Sequence, residues 1–245
     1  MSTSADINVK LAQDNEGIPV DPTEYQSIVG SLLYVAIATR PDIAQAVGIV
    51  SKFNSKPSQI HLSAAKRILR YLKGTSDLVL KFQQSEKGCS LIGYSDADWA
   101  GENDDRHSTT GNLFQLAGGP ISWLSKNQSV VALSTSEAEY VALSTCAQEA
   151  IWLRRLLNSL NAVPPGPTII NEDNQGAIAI ARNPIAHMRT KHIDIHYHFI
   201  REAIQDQVIK VCYCPSEDMI ADLLTKPLSK GKFEALRDQM RIKER

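Results

Sequence analysis

Two textures of apolar and polar positions meet near residue 78. Before it, apolar residues recur every three or four positions, the period of a helix with one buried face. Asp21-Pro22-Thr23-Glu24 reads as a helix start: Asp21 caps, Pro22 takes the first helical position, and Glu24 completes a capping-box-like pair. This helix is predicted to run towards Thr39, where Arg40-Pro41 stops it. A second helix is predicted over Asp42–Phe53, and a third from Ser58 to Lys73, closed by Gly74 as a C′ glycine. The third carries an apolar stripe on Leu62, Ala65, Ile68, Leu69 and Leu72. His61, Lys66, Arg67, Arg70 and Lys73 fall mainly outside that stripe, as on a solvated face.

From Leu78 the pattern changes to short strand-like runs between polar turns: Leu78–Phe82, Leu91–Asp96, Gly111–Ala117 and Ile121–Ser125. Ser134-Thr135-Ser136-Glu137 opens a long helix towards Leu160, ended by Val163-Pro164-Pro165-Gly166-Pro167. A strand over Thr168–Glu172, a short helix over Asn174–Ala181 and a helix over Lys191–Gln205 follow. An extended run over Val208–Tyr213, a helix over Asp218–Leu224 and a charged helix from Lys230 complete the chain. Three meandering strands, then helix, strand, helix and strand, predict an α/β layer fold with a mixed sheet. The expected organisation is a flexible tail over 1–20, a small helical segment over 21–86, the α/β domain over 87–228 and a C-terminal helix over 229–245.

Charge changes this picture. The 245 residues carry a formal net charge of −1, so no global basicity announces a nucleic-acid partner. By segment, residues 52–81 carry +6 and residues 87–228 carry −5, and the neutral total is largely their cancellation. Residues 1–25 hold five acids against Lys10 alone, with little periodicity. Cys89, Cys146, Cys212 and Cys214 are too few and too unevenly spaced for a disulfide scaffold, which favours an intracellular, cytoplasmic setting. No apolar run approaches the ~20 residues of a membrane span, and no signal-peptide pattern opens the chain.

Four acids of the acidic segment sit where a folded chain can converge. Asp96 ends a strand, Glu137 lies in the first turn of the long helix, Asp173 directly follows a strand, and Asp222 lies in the helix Asp218–Leu224. Each also has a local explanation: a polar turn for Asp96, a capping box with Ser134 for Glu137, a helix cap for Asp173 and an exposed helix position for Asp222. Spacing alone leaves these alternatives open.

The joint constraint comes from a resemblance. Tyr94-Ser95-Asp96-Ala97-Asp98-Trp99-Ala100-Gly101, Ser134-Thr135-Ser136-Glu137-Ala138-Glu139-Tyr140, Glu172-Asp173-Asn174-Gln175, Thr190-Lys191-His192-Ile193-Asp194 and Ala221-Asp222-Leu223-Leu224-Thr225-Lys226-Pro227-Leu228 follow one another in order. Together they resemble the ribonuclease H domain of Ty1/copia-type retrotransposon Pol polyproteins. Residues 21–85 resemble the segment that joins reverse transcriptase to that domain. The chain thus looks like the C-terminal portion of a polyprotein, either separately encoded or a decayed genomic copy starting at a chance Met1.

The resemblance implies a ribonuclease H-like mixed five-stranded sheet flanked by helices, and hydrolysis of the RNA strand of RNA–DNA hybrids. It implies two Mg²⁺ ions, replaceable by Mn²⁺, with Asp96, Glu137, Asp173 and Asp222 as catalytic metal ligands and Glu139 and Asp98 as second choices. The chemistry suits carboxylates: hard divalent cations take oxygen ligands and clamp a scissile phosphate. Without cations or protons, like charges 4 Å apart repel by about 4 kcal/mol per pair at an effective dielectric of 20. Nucleic-acid contacts are expected from Arg106, Ser108, Thr109, Asn174, Lys191 and His192, and from Lys66, Arg67, Arg70 and Lys73 on the third helix. The expected partners are the hybrid and the polymerase portion of the same polyprotein, and no membrane. A virus-like particle is the wider context that the resemblance allows.

Departures and decoys are also visible. Many ribonucleases H place a histidine just before the last acid, whereas Tyr213-Cys214-Pro215-Ser216-Glu217-Asp218 has none. Asp104-Asp105 lacks the Tyr-x-Asp-Asp setting of a polymerase. His187 and His192 with Cys212 and Cys214 imitate a zinc module, but only one residue separates the cysteines where zinc sites use two to four. Trp99, Trp123 and Trp152 are expected in the core. The rival to a nuclease is a catalytically silent nucleic-acid-binding relic, or a structural module of a reverse-transcriptase complex.

Overall fold

Helix α1 spans Pro22–Ala38, and the Asp21 carboxylate caps it by accepting from the Thr23 N–H at 2.9 Å. This computed structural model describes residues 2–13, 17–82, 90–101, 106–182 and 199–245. Pro41 ends α1 as expected and starts a 3₁₀ turn, Pro41–Ile43, that leads into α2, Ala44–Ser51. Helix α3, Gln59–Lys73, stops at Gly74, whose φ of −81° is right-handed rather than the left-handed conformation of a C′ glycine. His61 is fully buried, not solvated. Its Nδ1 accepts from the Ser58 N–H at 3.0 Å, leaving Nε2 to donate to the Ala12 carbonyl at 3.0 Å, and its ring stacks on Phe53.

The N-terminal residues lie against these helices: Thr3 and Ser4 are buried, and Asp6 pairs with Arg67 at 3.0 Å. Strand β1, Leu78–Leu80, pairs antiparallel with the last strand, β7, Ile242–Glu244.

The main sheet has five strands in the order β4-β3-β2-β5-β6. They span Leu91–Asp98 (β2), Thr109–Leu116 (β3), Gly119–Asn127 (β4), Thr168–Glu172 (β5) and Ile209–Tyr213 (β6). β2, β3 and β4 form an antiparallel meander, and β5 and β6 add in parallel. This is the mixed five-stranded sheet flanked by helices that the sequence predicts. Helix α4, Thr135–Ser159, and α5, Gln175–Arg182, cover one face together with α6, the helical residues 199–205. Most of the helix predicted over Lys191–Gln205 lies outside the described residues.

Side-chain alternation along β3 explains why both faces are dry. Phe114 joins the core under α4, with Tyr140, Leu143, Ile170 and Ile209, while Leu113 points the other way. There it meets a second core built from α1, α2 and α3, from the 3₁₀ turn Ile220–Leu224 and from α7, Lys230–Gln239. The predicted helix over Asp218–Leu224 is therefore a tighter turn, and the last helix is followed by a strand.

A polar knot fastens this second layer. Arg40 forms a two-pronged pair with Asp42 at 2.8 and 2.9 Å, the Tyr71 hydroxyl donates to Asp42 at 2.5 Å, and Arg237 of α7 reaches Tyr71 at 3.5 Å. Arg40 and Asp42 are both buried. Asp42→Ala would leave the Arg40 guanidinium uncompensated, so urea unfolding should show a loss of about 3–5 kcal/mol. Tyr71→Phe, which removes one hydrogen bond, should cost about 1–2 kcal/mol.

Candidate active site

Parallel pairing sets the first two acids side by side. Tyr94 of β2 lies opposite Asn171 of β5, so two residues further along Asp96 and Asp173 leave the same edge of the sheet. Helix α4 crosses the same end and delivers Glu139. One carboxylate oxygen from each of Asp96, Glu139 and Asp173 lies within 4.8 Å of the others, the only such group of metal-ligating side chains among the described residues.

Glu137 is not part of it. Its carboxylate accepts from the Leu133 N–H at 2.8 Å, and its own N–H donates to Ser134 Oγ at 3.2 Å, which is the helix-capping arrangement. Glu139 belongs instead to the buried stripe of α4, continued by Leu143, Cys146, Ala150, Leu153 and Leu157. Two residues on a helix are about 200° apart, so only one of the two glutamates can face the sheet. The placement of Glu137 is corrected by that rotation. An acid sitting on an otherwise apolar stripe was the available signal.

Asp222 arrives from the opposite layer. Gly111, the partner of Asp96 across β2 and β3, lets the 3₁₀ turn come close: a Cβ there would stand 2.6 Å from Thr225 Cγ2 and 3.0 Å from the Ala221 carbonyl oxygen. Thr225 donates its hydroxyl to Asp96. Asp222 is fully buried, with Lys226 Nζ 2.6 Å from its Oδ1 and Lys232 bound to its Oδ2. The Lys226 ammonium also lies 3.7 Å from Asp96 Oδ2, bridging the two acids.

Electrostatics follow from burial and crowding. Burial raises the Asp96 carboxyl to about 7, against the pull of Lys226 and with a further push from Asp222. Burial, then Glu172, Asp96 and Asp173, raise Glu139 to about 11. Glu172, which sequence reasoning passed over, is fully buried beside them and is also raised, by burial first. Lys226 keeps its proton because Asp96 and Asp222 outweigh the effect of its burial. Glu139 Oε2 and Glu172 Oε2 are buried without a hydrogen-bond partner. Uncompensated carboxylate oxygens next to other hard oxygen donors fit a divalent cation held by Asp96, Glu139 and Asp173.

Several curated proteins align with most of this chain, two of them as follows. The Retrovirus-related Pol polyprotein from transposon TNT 1-94 of Nicotiana tabacum is 47% identical over 214 residues, 87% of this chain and 16% of that protein. The Retrovirus-related Pol polyprotein from transposon RE1 of Arabidopsis thaliana is 47% identical over the same 87%, and 14% of its own length is covered. The chain belongs to the Pol polyproteins of copia-type retrotransposons. It spans about one-sixth of the length of these relatives. No family model matches. Among solved structures, the foamy viral protease-reverse transcriptase dRH in complex with double-stranded DNA covers 84% of this chain and is itself covered over 33%, at 13% identity and a TM-score of 0.49.

The other expected contact residues of this copia-type chain divide. Ser108 is buried and accepts from the Ala100 N–H at 3.3 Å, so it holds the turn after β2 instead of facing solvent. Asn174 caps α5 through Ala177 N–H at 2.9 Å and meets Ser136 at 3.2 Å. Arg67 is engaged by Asp6 and Thr3, whereas Lys66, Arg70 and Lys73 are exposed. Arg106 is exposed and Thr109 half-buried at the start of β3. Lys191, His192 and the histidines of the zinc decoy lie outside the described residues, and Cys212 and Cys214 are free thiols. Trp123 is tied into the seam by its Nε1–Ala36 carbonyl bond, but Trp99 and Trp152 are 45% and 55% exposed rather than core. Among the described residues no helix is long and apolar enough to cross a membrane.

A pH prediction follows. Without metal, the folded state binds protons at Asp96 more tightly than the unfolded chain, so stability should fall as pH rises from about 4 to about 7. Asp96→Asn removes that contribution. In chelator at pH 8 the variant should melt above the parent, by about 2–4 °C per kcal/mol regained, and the gap should narrow by pH 5 and close below about pH 4. A variant that melts no higher than the parent at pH 8 would show an ionised Asp96 already satisfied.

Proposed function

We propose that this chain is a ribonuclease H-type endonuclease that cuts the RNA strand of RNA–DNA hybrids with divalent cations, Mg²⁺ or Mn²⁺. The observation that carries this is the convergence of Asp96, Glu139 and Asp173 from β2, α4 and the end of β5. These three would hold the cations, and Asp222 is the fourth acid at the same edge. When bound, such cations would activate a water and stabilise the leaving oxygen. The chain's own groups prepare the site. Thr225 fixes the Asp96 carboxylate, Ser216 donates to Asp173 at 2.6 Å, and Lys226 supplies a fixed positive charge between Asp96 and Asp222. The polymerase portion of the same polyprotein is the proposed protein partner, in keeping with the one-sixth of its relatives that this chain spans.

The test is a labelled RNA–DNA duplex with Mg²⁺ or Mn²⁺. Glu139→Gln and Asp173→Asn should each lower cleavage by at least about 10–100-fold, while Glu137→Gln stays within a few-fold of the parent. Calorimetric cation titration should show the same separation. Hybrid binding without hydrolysis by the folded parent would instead identify a silent relic.

A further inference from the structure

A groove of about 640 Å³ opens where the end of β2 faces α2 and the N-terminal segment. Asp98 and Thr225 are among its lining residues, and Thr225 is bonded to Asp96 of the acid cluster. Lys10 and Lys52 line its sides, and Trp99 forms part of its wall. The indole of Trp99 is held by its Nε1–H donating to the Ala132 carbonyl at 3.1 Å, yet nearly half of the side chain remains exposed. Through Lys52, Thr109 and Asn127 the groove continues into a hollow of about 300 Å³ lined by Lys126. Lys52 Nζ donates to Asn127 Oδ1 at 3.1 Å, so α2 and β4 are joined across the path.

We infer that this track receives a single-stranded nucleic-acid extension of the hybrid, leading away from the acid cluster. The inference rests on the nuclease reading, since it takes the acid cluster as the point where the hybrid sits. A fixed, half-exposed aromatic ring with cations spaced along a narrow channel is the chemistry of single-strand binding: bases stack and phosphates meet ammonium groups. Lys10, Lys52 and Lys126 supply the cations, and among the described residues Asp98 is the one acid lining the track. The volume limits the ligand. A crevice of this volume has the size of a small-molecule site, which accommodates one or two nucleotides of one strand and excludes a duplex.

The experiment compares the full chain's affinity for a blunt RNA–DNA hybrid with that for the same hybrid carrying a five-nucleotide single-stranded extension at one or the other end. Chelator is present throughout, and fluorescence anisotropy is the readout. One extension polarity should tighten binding about tenfold and quench tryptophan emission. Trp99→Ala, and separately Lys52→Gln with Lys126→Gln, should abolish the tenfold gain while blunt-hybrid affinity stays within about twofold. Trp99→Phe should keep most of the gain but lose the quench. Blunt hybrid bound in chelator and cut in a parallel Mg²⁺ assay, with neither extension tightening binding, overturns the groove assignment alone, as does a gain that survives both sets of substitutions. No binding of the blunt hybrid overturns both inferences.

Discussion

Carboxylates that the backbone forces together must be neutralised, and the rest of the site is arranged around that requirement. The register of β2 against β5 leaves Asp96 and Asp173 side by side whatever their charge. Glu139 and Glu172 then crowd the buried side. Burial weakens water's screening, so each added negative charge costs more than it would at the surface. The chain answers with protons on raised carboxyls, with hydroxyl donors from Thr225 and Ser216, and with the Lys226 ammonium. Each is a substitute for cationic charge, and neither the hydroxyls nor the ammonium group hydrogen-bonds the Oε2 atoms of Glu139 and Glu172.

The helical layer matters to this chemistry through Asp222. The turn that carries Asp222 is wedged between β3 and α7, and its apolar residues Ile220, Leu223 and Leu224 belong to the same core as α1, α2 and α3. Loosening the buried knot of Arg40, Asp42, Tyr71 and Arg237 would therefore act on the position of Asp222 without touching any acid. The lysine at Asp222 Oδ2 comes from α7 itself, so charge and packing secure the turn together. Gly111 is the point where this layer meets the sheet, and any side chain there would push the turn outward.

Much of this was legible in the sequence because period and punctuation are local. Pro22 and Pro41, the alternation in β2 to β4 and the long α4 all emerge where hydrophobic spacing and helix caps place them. Asp96, Asp173 and Asp222, three of the four expected acids, stand at strand ends or in a marked motif, which is local pattern. Glu137 failed because a capping box and a metal ligand look alike in one dimension. The discriminating fact was the apolar stripe running through Glu139, and it required following α4 over five turns. His61 failed differently: its helix position is polar-facing, and only contacts with Ala12 and Phe53, distant in sequence, bury it. Gly111 and Lys226 act through tertiary approach, which no local pattern encodes.

A polyanion that must approach an acid cluster meets a long-range penalty, and the segment charges show how it is offset. Residues 87–228 are net acidic, yet the ammonium groups near the cluster come from several places in the chain. Lys226 and Lys232 sit on Asp222, and Lys10, Lys52 and Lys126 line the adjoining channel. Two of those three channel lysines lie outside the acidic segment, one in the N-terminal stretch and one at the end of α2. Charges within about 8–10 Å of a phosphate act before salt screens them, whereas the distant remainder of a near-neutral molecule does not. What governs encounter is then the local alternation of lysines and carboxylates around one edge of the sheet, not the net charge of −1.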